Sequence, residues 1–382
     1  MSHDLRTIRR EFPDLDGATY LNTASNGLVP ERARLVLERF FNEQQYVEGL
    51  SPYDLFEVLA TTRVEVARLL DCSQEAIALT FNTSHGLNLA ANSIPMVKGD
   101  NVVLANGEFP GNVYPWRNLE SRGIELRWVE PPGGRADAES LIAACDAHTR
   151  IVTVSAVQFH DGWRPDLAAL AAHCREHDIR TVVDGAQAIG SCVVHPAELG
   201  IDFIAGCGQK WLCAPRGTGF LYVRAELVRD LRLPMLGWLN VDYGGRFDRL
   251  LEYPRQIFPD ARRFELGTAN LHDILMLRES LRLLNEIRID RVAAHDAGLA
   301  QRLRTALHGA SGLELCDVGC SPSPIIAFAV RAERAKSLHH ALRDARIHYS
   351  LREGRFRFAP HIYNDEADID RTADVITTSL QA

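Results

Sequence analysis

Short apolar runs alternate with helix-forming segments between Asp71 and Arg224, and this alternation restricts the possible folds more than any other feature. Strands that alternate with helices form a mostly parallel sheet covered by helices, so the pattern predicts an α/β protein. The runs predicted to be strands are Asn101–Ala105, Glu125–Val129, Ile151–Val154, Thr181–Val183, Phe203–Ala205 and Gly219–Val223.

The pattern of apolar and polar residues changes after Gly267. Two strongly helical stretches are followed by the alternating segments Pro324–Val330 and Arg355–Phe358, which predict a smaller α+β C-terminal domain. A chain of 382 residues is long enough for one large and one small domain. We expect a large domain over residues 17–274, and a small domain formed by residues 1–16 with 275–382.

The composition argues against several classes of partner. The formal net charge is −8, so no basic field favours nucleic acid or an anionic membrane. No apolar stretch approaches the length of a membrane span and none resembles a signal peptide, so we expect a cytoplasmic protein. The eight cysteines include no CxxC pair, which indicates neither a disulfide framework nor a metal site.

An acid and an amine follow two of the predicted strands. Asp184 comes directly after Thr181–Val183, and Lys210 lies shortly after Phe203–Ala205. Open α/β sheets bind ligands at the carboxyl ends of their strands. Pyridoxal 5′-phosphate (PLP) needs a lysine for the imine and a carboxylate for the pyridine nitrogen, so this pair suits PLP. Taken alone, the pair is more readily interpreted as a helix-capping aspartate and a solvated lysine.

A possible phosphate site precedes a helical pattern. Asn82, Thr83 and Ser84 stand just before it, where backbone amides and the helix dipole favour an anion. The alternative interpretation is that these side chains are ordinary N-caps.

Seven segments together carry a family resemblance over nearly the whole chain. The sequence resembles the class V aminotransferase family of fold-type I PLP enzymes, which includes cysteine desulfurases and isopenicillin N epimerase. The segments are YLNTAS at 20–25, NTSHGLN at 82–88, EFPGNVYPW at 108–116, DGAQAIG at 184–190, GQKWLCAPRGTGFLYVR at 208–224, FELGTAN at 264–270 and GRFRFAPHIYN at 354–364.

The resemblance implies roles around the cofactor ring. Lys210 would be the catalytic lysine that forms the imine, and Asp184 would hold the ring nitrogen protonated. Gln187 would donate a hydrogen bond to the ring hydroxyl oxygen, and Phe109 would stack on the ring.

The resemblance also implies contacts to phosphate and substrate. Thr83, Ser84 and Gln209 would bind the phosphate, and Thr268 would reach it from the neighbouring subunit of a homodimer with shared active sites. Arg357 would bind the α-carboxylate of an amino-acid substrate, since a guanidinium can bond both oxygens.

Departures from the family pattern bear on the reaction. Gln209 and Phe109 stand where desulfurases usually have histidine, and the segment HYSLREGRFRF at 348–358 lacks their nucleophilic cysteine. Cys316 and Cys320 lie upstream and are interpreted as structural. We therefore expect a β-eliminating carbon–sulfur lyase or an aminotransferase acting on a modified amino acid. An epimerase, a cysteine desulfurase and a catalytically silent PLP-binding scaffold are the alternatives, with desulfurase disfavoured.

Overall fold

The structure is a computed structural model, and it describes residues 8–43, 54–130, 135, 137–245, 247–316 and 323–381. Cys320 lies outside the described residues. The strands are β1 Thr19–Tyr20, β2 Ile77–Thr80, β3 Asn101–Ala105, β4 Glu125–Val129, β5 Thr149–Ser155, β6 Arg180–Asp184, β7 Phe203–Cys207, β8 Gly219–Val223, β9 Leu313–Leu315, β10 Ile326–Val330, β11 Ile347–His348, β12 Ser350–Arg352 and β13 Arg355–Phe358.

The α-helices connect and cover these strands. They are α1 Glu31–Asn42, α2 Leu55–Leu70, α3 Thr83–Ser93, α4 Tyr114–Arg117, α5 Ala138–Ala143, α6 Leu167–Glu176, α7 Pro196–Leu199, α8 Leu271–Ile287, α9 Ile289–Leu307, α10 Ala332–Asp344 and α11 Glu366–Gln381. Of the helices described here, none is long and apolar enough to cross a membrane.

The central sheet has the strand order β2-β8-β7-β6-β5-β3-β4. The last five strands run parallel, whereas β8 is antiparallel to both neighbours. The predicted α/β fold with a mostly parallel seven-stranded sheet is therefore confirmed. The sequence pattern did not predict β2, because its four residues are all buried and show no alternation.

Both faces of this sheet are covered by apolar clusters. Val102 and Val103 point to opposite faces and belong to different clusters, as do Val182 and Val183. Helix α3 approaches β7 closely at Gly86, where an added Cβ would lie 2.8 Å from the Cβ of Ala205. Because Gly86 has no side chain, α3 can pack closely against β7, and this close packing sets the position of the helix N-terminus.

The C-terminal part has its own antiparallel sheet, with the order β12-β13-β10-β9. Its core includes the rings of Phe328 and Phe358, which stack at 5.7 Å between centroids. The predicted small-domain boundary after residue 274 falls inside α8, which packs against α1 and α2. The division into domains stays a prediction.

The carboxyl ends of five strands meet at one edge of the central sheet. β3, β5, β6 and β7 are parallel, and β2 points the same way because both β2 and β7 are antiparallel to β8. The loops that follow these strands carry residues 82–84, 108–109, 158–160, 184–187 and 208–211. This edge is where an α/β sheet binds ligands.

Candidate active site

Asp184 ends β6 on the floor of this edge. Its side chain is only 4% exposed, and Oδ1 accepts a hydrogen bond from the backbone N–H of Ala186 at 2.9 Å. Burial raises the pKa of Asp184 to about 6, while the charge of Lys210 and the bond from Ala186 act in the opposite direction. A second cation placed against the carboxylate would lower the free-energy cost of keeping it ionised in the folded state.

Lys210 lies above this floor, beside an aromatic ring. Its Nζ is 5.5 Å from the centroid of the Phe109 ring, and that ring meets Phe159 edge-on at 5.2 Å. Phe109 is 42% exposed, so part of its side chain is accessible to a ligand. The structure therefore brings Lys210, Asp184 and Phe109 to one place.

A buried network that was not predicted from the sequence holds the Phe109 loop. The carboxylate of Glu108 accepts hydrogen bonds from Asn112 Nδ2 at 3.0 Å, Gln158 Nε2 at 2.6 Å, and both the N–H and hydroxyl of Ser155 at 3.0 and 2.5 Å. All four residues are buried. The network connects the loop after β3 to the end of β5. It therefore fixes the position of Phe109, the residue that follows Glu108 in this loop.

The N-terminus of α3 distinguishes the two interpretations of Thr83 and Ser84. The N-cap is Asn82, whose side chain accepts from the backbone N–H of His85 at 2.9 Å. Thr83 is buried in the first turn, and its Oγ1 has no hydrogen-bond partner among the described residues, although the weakly bonding thiol of Cys207 is its neighbour. Neither Thr83 nor Ser84 is needed as a cap.

Gln209 and Gln187 differ in whether their side-chain amides already have hydrogen-bond partners among the described residues. Gln209 Oε1 is buried without a partner among the described residues. Gln187 accepts from the indole N–H of Trp211 at 2.8 Å and donates to the carbonyl oxygen of Ala24 at 2.9 Å. Because an indole nitrogen only donates, this contact sets the orientation of the amide and leaves one N–H of Gln187 for a ligand.

A buried histidine supports the Lys210 loop from behind, and the sequence analysis did not identify it. His361 Nδ1 lies 2.7 Å from Asp296 Oδ2, and Nε2 lies 3.0 Å from the carbonyl oxygen of Trp211. Both partners only accept, so both ring nitrogens must carry a proton. Asp296 accordingly raises the pKa of His361 to about 10, against the effect of burial. The only signal in the sequence was the position of His361 inside the GRFRFAPHIYN segment.

Arg357 lies at the opposite side of the site, on β13, and is 2% exposed. Its Nε donates to Ser350 Oγ at 3.0 Å, Nη1 to the carbonyl oxygen of Phe159 at 2.5 Å, and Nη2 to Ser25 Oγ at 2.8 Å. Burial lowers the pKa of Arg357 to about 9. Within the described part of the chain no carboxylate pairs with this guanidinium, so its charge is uncompensated.

Thr268 is the predicted site residue whose role depends on a second subunit. It is exposed in the loop before α8. Its predicted contact with the phosphate across a subunit interface stays a prediction.

The chemistry of this site fits PLP. Among the described residues, the buried Asp184 carboxylate forms no ion pair within 4 Å, the first turn of α3 carries the unsatisfied Thr83 hydroxyl, and Lys210 lies beside the partly exposed Phe109 ring. These groups match a protonated pyridine nitrogen, a phosphate and an aldehyde.

Comparisons with known proteins agree with this chemistry. The aminotransferase class-V family model matches residues 52–371. A protein of Methanothermobacter thermautotrophicus named probable cysteine desulfurase is 29% identical over 394 residues, which covers 97% of this chain and 96% of the relative. An uncharacterized aminotransferase of Bacillus subtilis, YcbU, is 24% identical over 98% of both chains.

Two solved structures share the fold. The cystine C–S lyase C-DES, solved with cysteine persulfide, has a TM-score of 0.86 at 23% identity and covers 96% of this chain and 99% of its own. The cysteine desulfurase CsdA of Escherichia coli has a TM-score of 0.87 at 22% identity and covers 99% of both chains. These likenesses confirm the predicted fold-type I architecture. Together with the family match over residues 52–371, they show that the chain belongs to the aminotransferase class-V family of PLP-dependent enzymes.

Proposed function

We propose that this chain is a PLP-dependent carbon–sulfur lyase that eliminates a sulfur group from Cβ of an α-amino acid. The observation that carries the proposal is Arg357, a buried guanidinium whose hydrogen-bond partners among the described residues are all neutral. An uncompensated buried charge is costly, and a substrate carboxylate would supply its missing partner. The names of the relatives, cysteine desulfurase and cystine C–S lyase, support sulfur chemistry at Cβ.

Arg357 is linked to Lys210 through two short paths. Its Nη1 bonds the backbone of Phe159, whose ring touches Phe109 beside Lys210. Its Nη2 bonds Ser25, which lies two residues before the Gly27 N–H that donates to the carbonyl of Gln209 at 2.8 Å. A substrate bound by Arg357 through its carboxylate would therefore present its amino group toward Lys210.

The residues around Lys210 would hold the cofactor in a defined way. Asp184 would pair with the ring nitrogen, and the free N–H of Gln187 would reach the ring hydroxyl. Phe109 would cover one ring face. The phosphate would take the buried hydroxyl of Thr83, the first-turn amides at Thr83 and Ser84, and the amide of Gln209. The chemistry that bound PLP supplies is an electron sink for the substrate α-carbon.

Lys210 is the group in this proposal that moves the α-proton. The Phe109 ring, which lies beside Lys210 Nζ, has no titratable proton. The amine of Lys210 would accept the α-proton of the bound substrate, and loss of that proton would allow a sulfur group at Cβ to depart with its bonding electron pair.

The cysteines favour release of the sulfur group over its capture on the protein. Cys213 is buried, and segment 348–358 contains no cysteine. Thiolates, rather than thiols, accept sulfur, so a raised thiol pKa disfavours capture. Burial raises the pKa of the thiols of Cys72, Cys145, Cys174, Cys192, Cys207 and Cys316.

Product analysis tests the proposal. PLP-loaded enzyme would be incubated with L-cystine and with S-alkyl cysteines, and pyruvate, ammonia and released sulfur species would be measured against Lys210→Ala. A lyase yields pyruvate and ammonia in equal amounts. A keto acid that keeps its Cβ substituent would show an aminotransferase instead, a D-amino acid an epimerase, and a protein-bound persulfide a desulfurase. No conversion by a PLP-loaded enzyme would support a silent scaffold.

We also propose that the enzyme is a homodimer in which Thr268 of a second copy completes the phosphate site. Support comes from large apolar side chains that the single chain leaves exposed, such as Leu236, Leu251 and Tyr253. Light scattering on a sizing column would report the mass in solution. A monomer that retains full activity would contradict the shared site.

A further inference from the structure

Two guanidinium groups converge on one hydroxyl at the substrate side of the site. Arg357 Nη2 and Arg352 Nη2 both donate to Ser25 Oγ, at 2.8 and 3.1 Å. The two nitrogens are therefore at most about 6 Å apart. Burial lowers the pKa of Arg357, and the nearby positive charge of Arg352 lowers it further.

The hydrogen-bond count shows that one carboxylate can complete Arg357. A guanidinium has five N–H donors, and Arg357 uses three of them within the protein. One N–H remains on Nη1 and one on Nη2, which is the pair that binds a carboxylate through both oxygens. A substrate α-carboxylate therefore satisfies Arg357 without help from Arg352.

Arg352 keeps more donors than its protein partners use. Its Nη1 donates to the carbonyl oxygen of Leu351 at 2.7 Å, and its Nη2 donates to Ser25. Three N–H groups of Arg352 remain, and Ser25, which accepts from both arginines, keeps its own hydroxyl proton to donate. In the described part of the chain neither Arg352 nor Arg357 forms an ion pair with a carboxylate.

We propose that the substrate carries a second acidic group on its side chain and that Arg352 and Ser25 bind it. This inference rests on the proposed function, because it assumes that Arg357 takes the α-carboxylate. One α-carboxylate supplies a single negative charge, whereas the two converging guanidiniums carry two positive charges. A second acidic group on the substrate balances the remaining positive charge. Because the two nitrogens are at most about 6 Å apart, the second acid lies close to the α-carboxylate, as in a side-chain carboxylate of aspartate or glutamate size.

Charge-matched ligand pairs test the second site on the PLP-loaded enzyme. L-Aspartate would be compared with L-asparagine, and L-glutamate with L-glutamine, because the members of each pair are nearly equal in size and differ in charge. Changes in the cofactor absorbance would give the dissociation constants without requiring turnover. In the wild type we expect at least one acid to bind about 10- to 100-fold more tightly than its amide.

Two arginine variants separate a local contact from the general charge of the hairpin. Arg352→Gln should abolish the preference for the acid while leaving the affinity for the amide within about threefold. Arg355→Gln is the matched control, since Arg355 pairs with Arg352 across β12 and β13 but makes no hydrogen bond to Ser25. It removes the same charge and should keep the preference.

The outcomes distinguish this inference from the proposed function. Equal binding of acids and amides by the wild type, or an equal loss for both in Arg352→Gln, would overturn the second acidic group and make Arg352 a second arm for the α-carboxylate. An absorbance that no amino acid changes would instead overturn the proposed function, and this inference with it.

Discussion

Replacing Asp184 with asparagine should stabilise the cofactor-free protein at neutral pH while it removes activity. The folded-state pKa of Asp184 is about 6, above its ordinary value of 3.8, chiefly because the carboxyl is buried. A group with a raised folded pKa stabilises the protein below its unfolded pKa, and this stability is lost as the pH rises through the folded pKa. Asparagine stays neutral at every pH, so the Asp184→Asn variant does not lose this stability as the pH rises.

The expected magnitude follows from the shift. About two pKa units correspond to a loss of about 3 kcal/mol of unfolding free energy, a loss that is complete above pH 6 and absent below pH 4. About half of this cost has developed at pH 5. The free-energy difference between Asp184→Asn and wild type should therefore grow by about 1.5 kcal/mol between pH 5 and pH 8.

The free energy of unfolding of both cofactor-free proteins would be measured at pH 5 and at pH 8. Any change in packing caused by the substitution is the same at both pH values, so it cancels when the two differences are compared. Asp344→Asn is a matched control, because the Asp344 side chain is 68% exposed. Added PLP should stabilise the wild type more than Asp184→Asn, since the ring nitrogen gives the carboxylate its cation. A difference that stays constant with pH, or equal stabilisation by PLP, would refute this account of Asp184.

Three further substitutions probe other parts of the account. Asp296→Asn leaves the buried imidazolium of His361 without its carboxylate and should cost about 3–5 kcal/mol in urea unfolding at pH 7; a loss below 1 kcal/mol would contradict a charged pair. Gly86→Ala places a methyl group against Ala205 and should cost about 1–3 kcal/mol and weaken PLP binding in a spectral titration, whereas an unchanged Tm would show that α3 can shift freely. Arg357→Lys should lower kcat/KM about 100-fold because lysine cannot bind a carboxylate through two parallel bonds, and an unchanged kcat/KM would remove Arg357 from the substrate site.

Local patterns in the sequence were sufficient to predict the sheet and the positions of Lys210 and Asp184. Asp184 directly follows an apolar run and Lys210 lies shortly after the next one, and the carboxyl ends of parallel strands meet at one edge. The strand β2 escaped prediction because a short, fully buried run has no period that separates it from a helix.

The supporting contacts could not be predicted because they join distant parts of the chain. His361 and Asp296 are 65 residues apart, and Arg357 and Ser25 are 332 residues apart. No local pattern records such a contact. The network around Glu108 likewise depends on the parallel neighbours β3 and β5, whose pairing only the fold establishes.

The most direct test of the central claim is the absorbance spectrum of the purified protein, wild type beside Lys210→Ala, before and after borohydride. The account predicts an imine band in the wild type that borohydride removes, and no such band in the variant. A wild type that stays colourless after PLP is added would contradict the assignment of Lys210 and leave only the family and the fold.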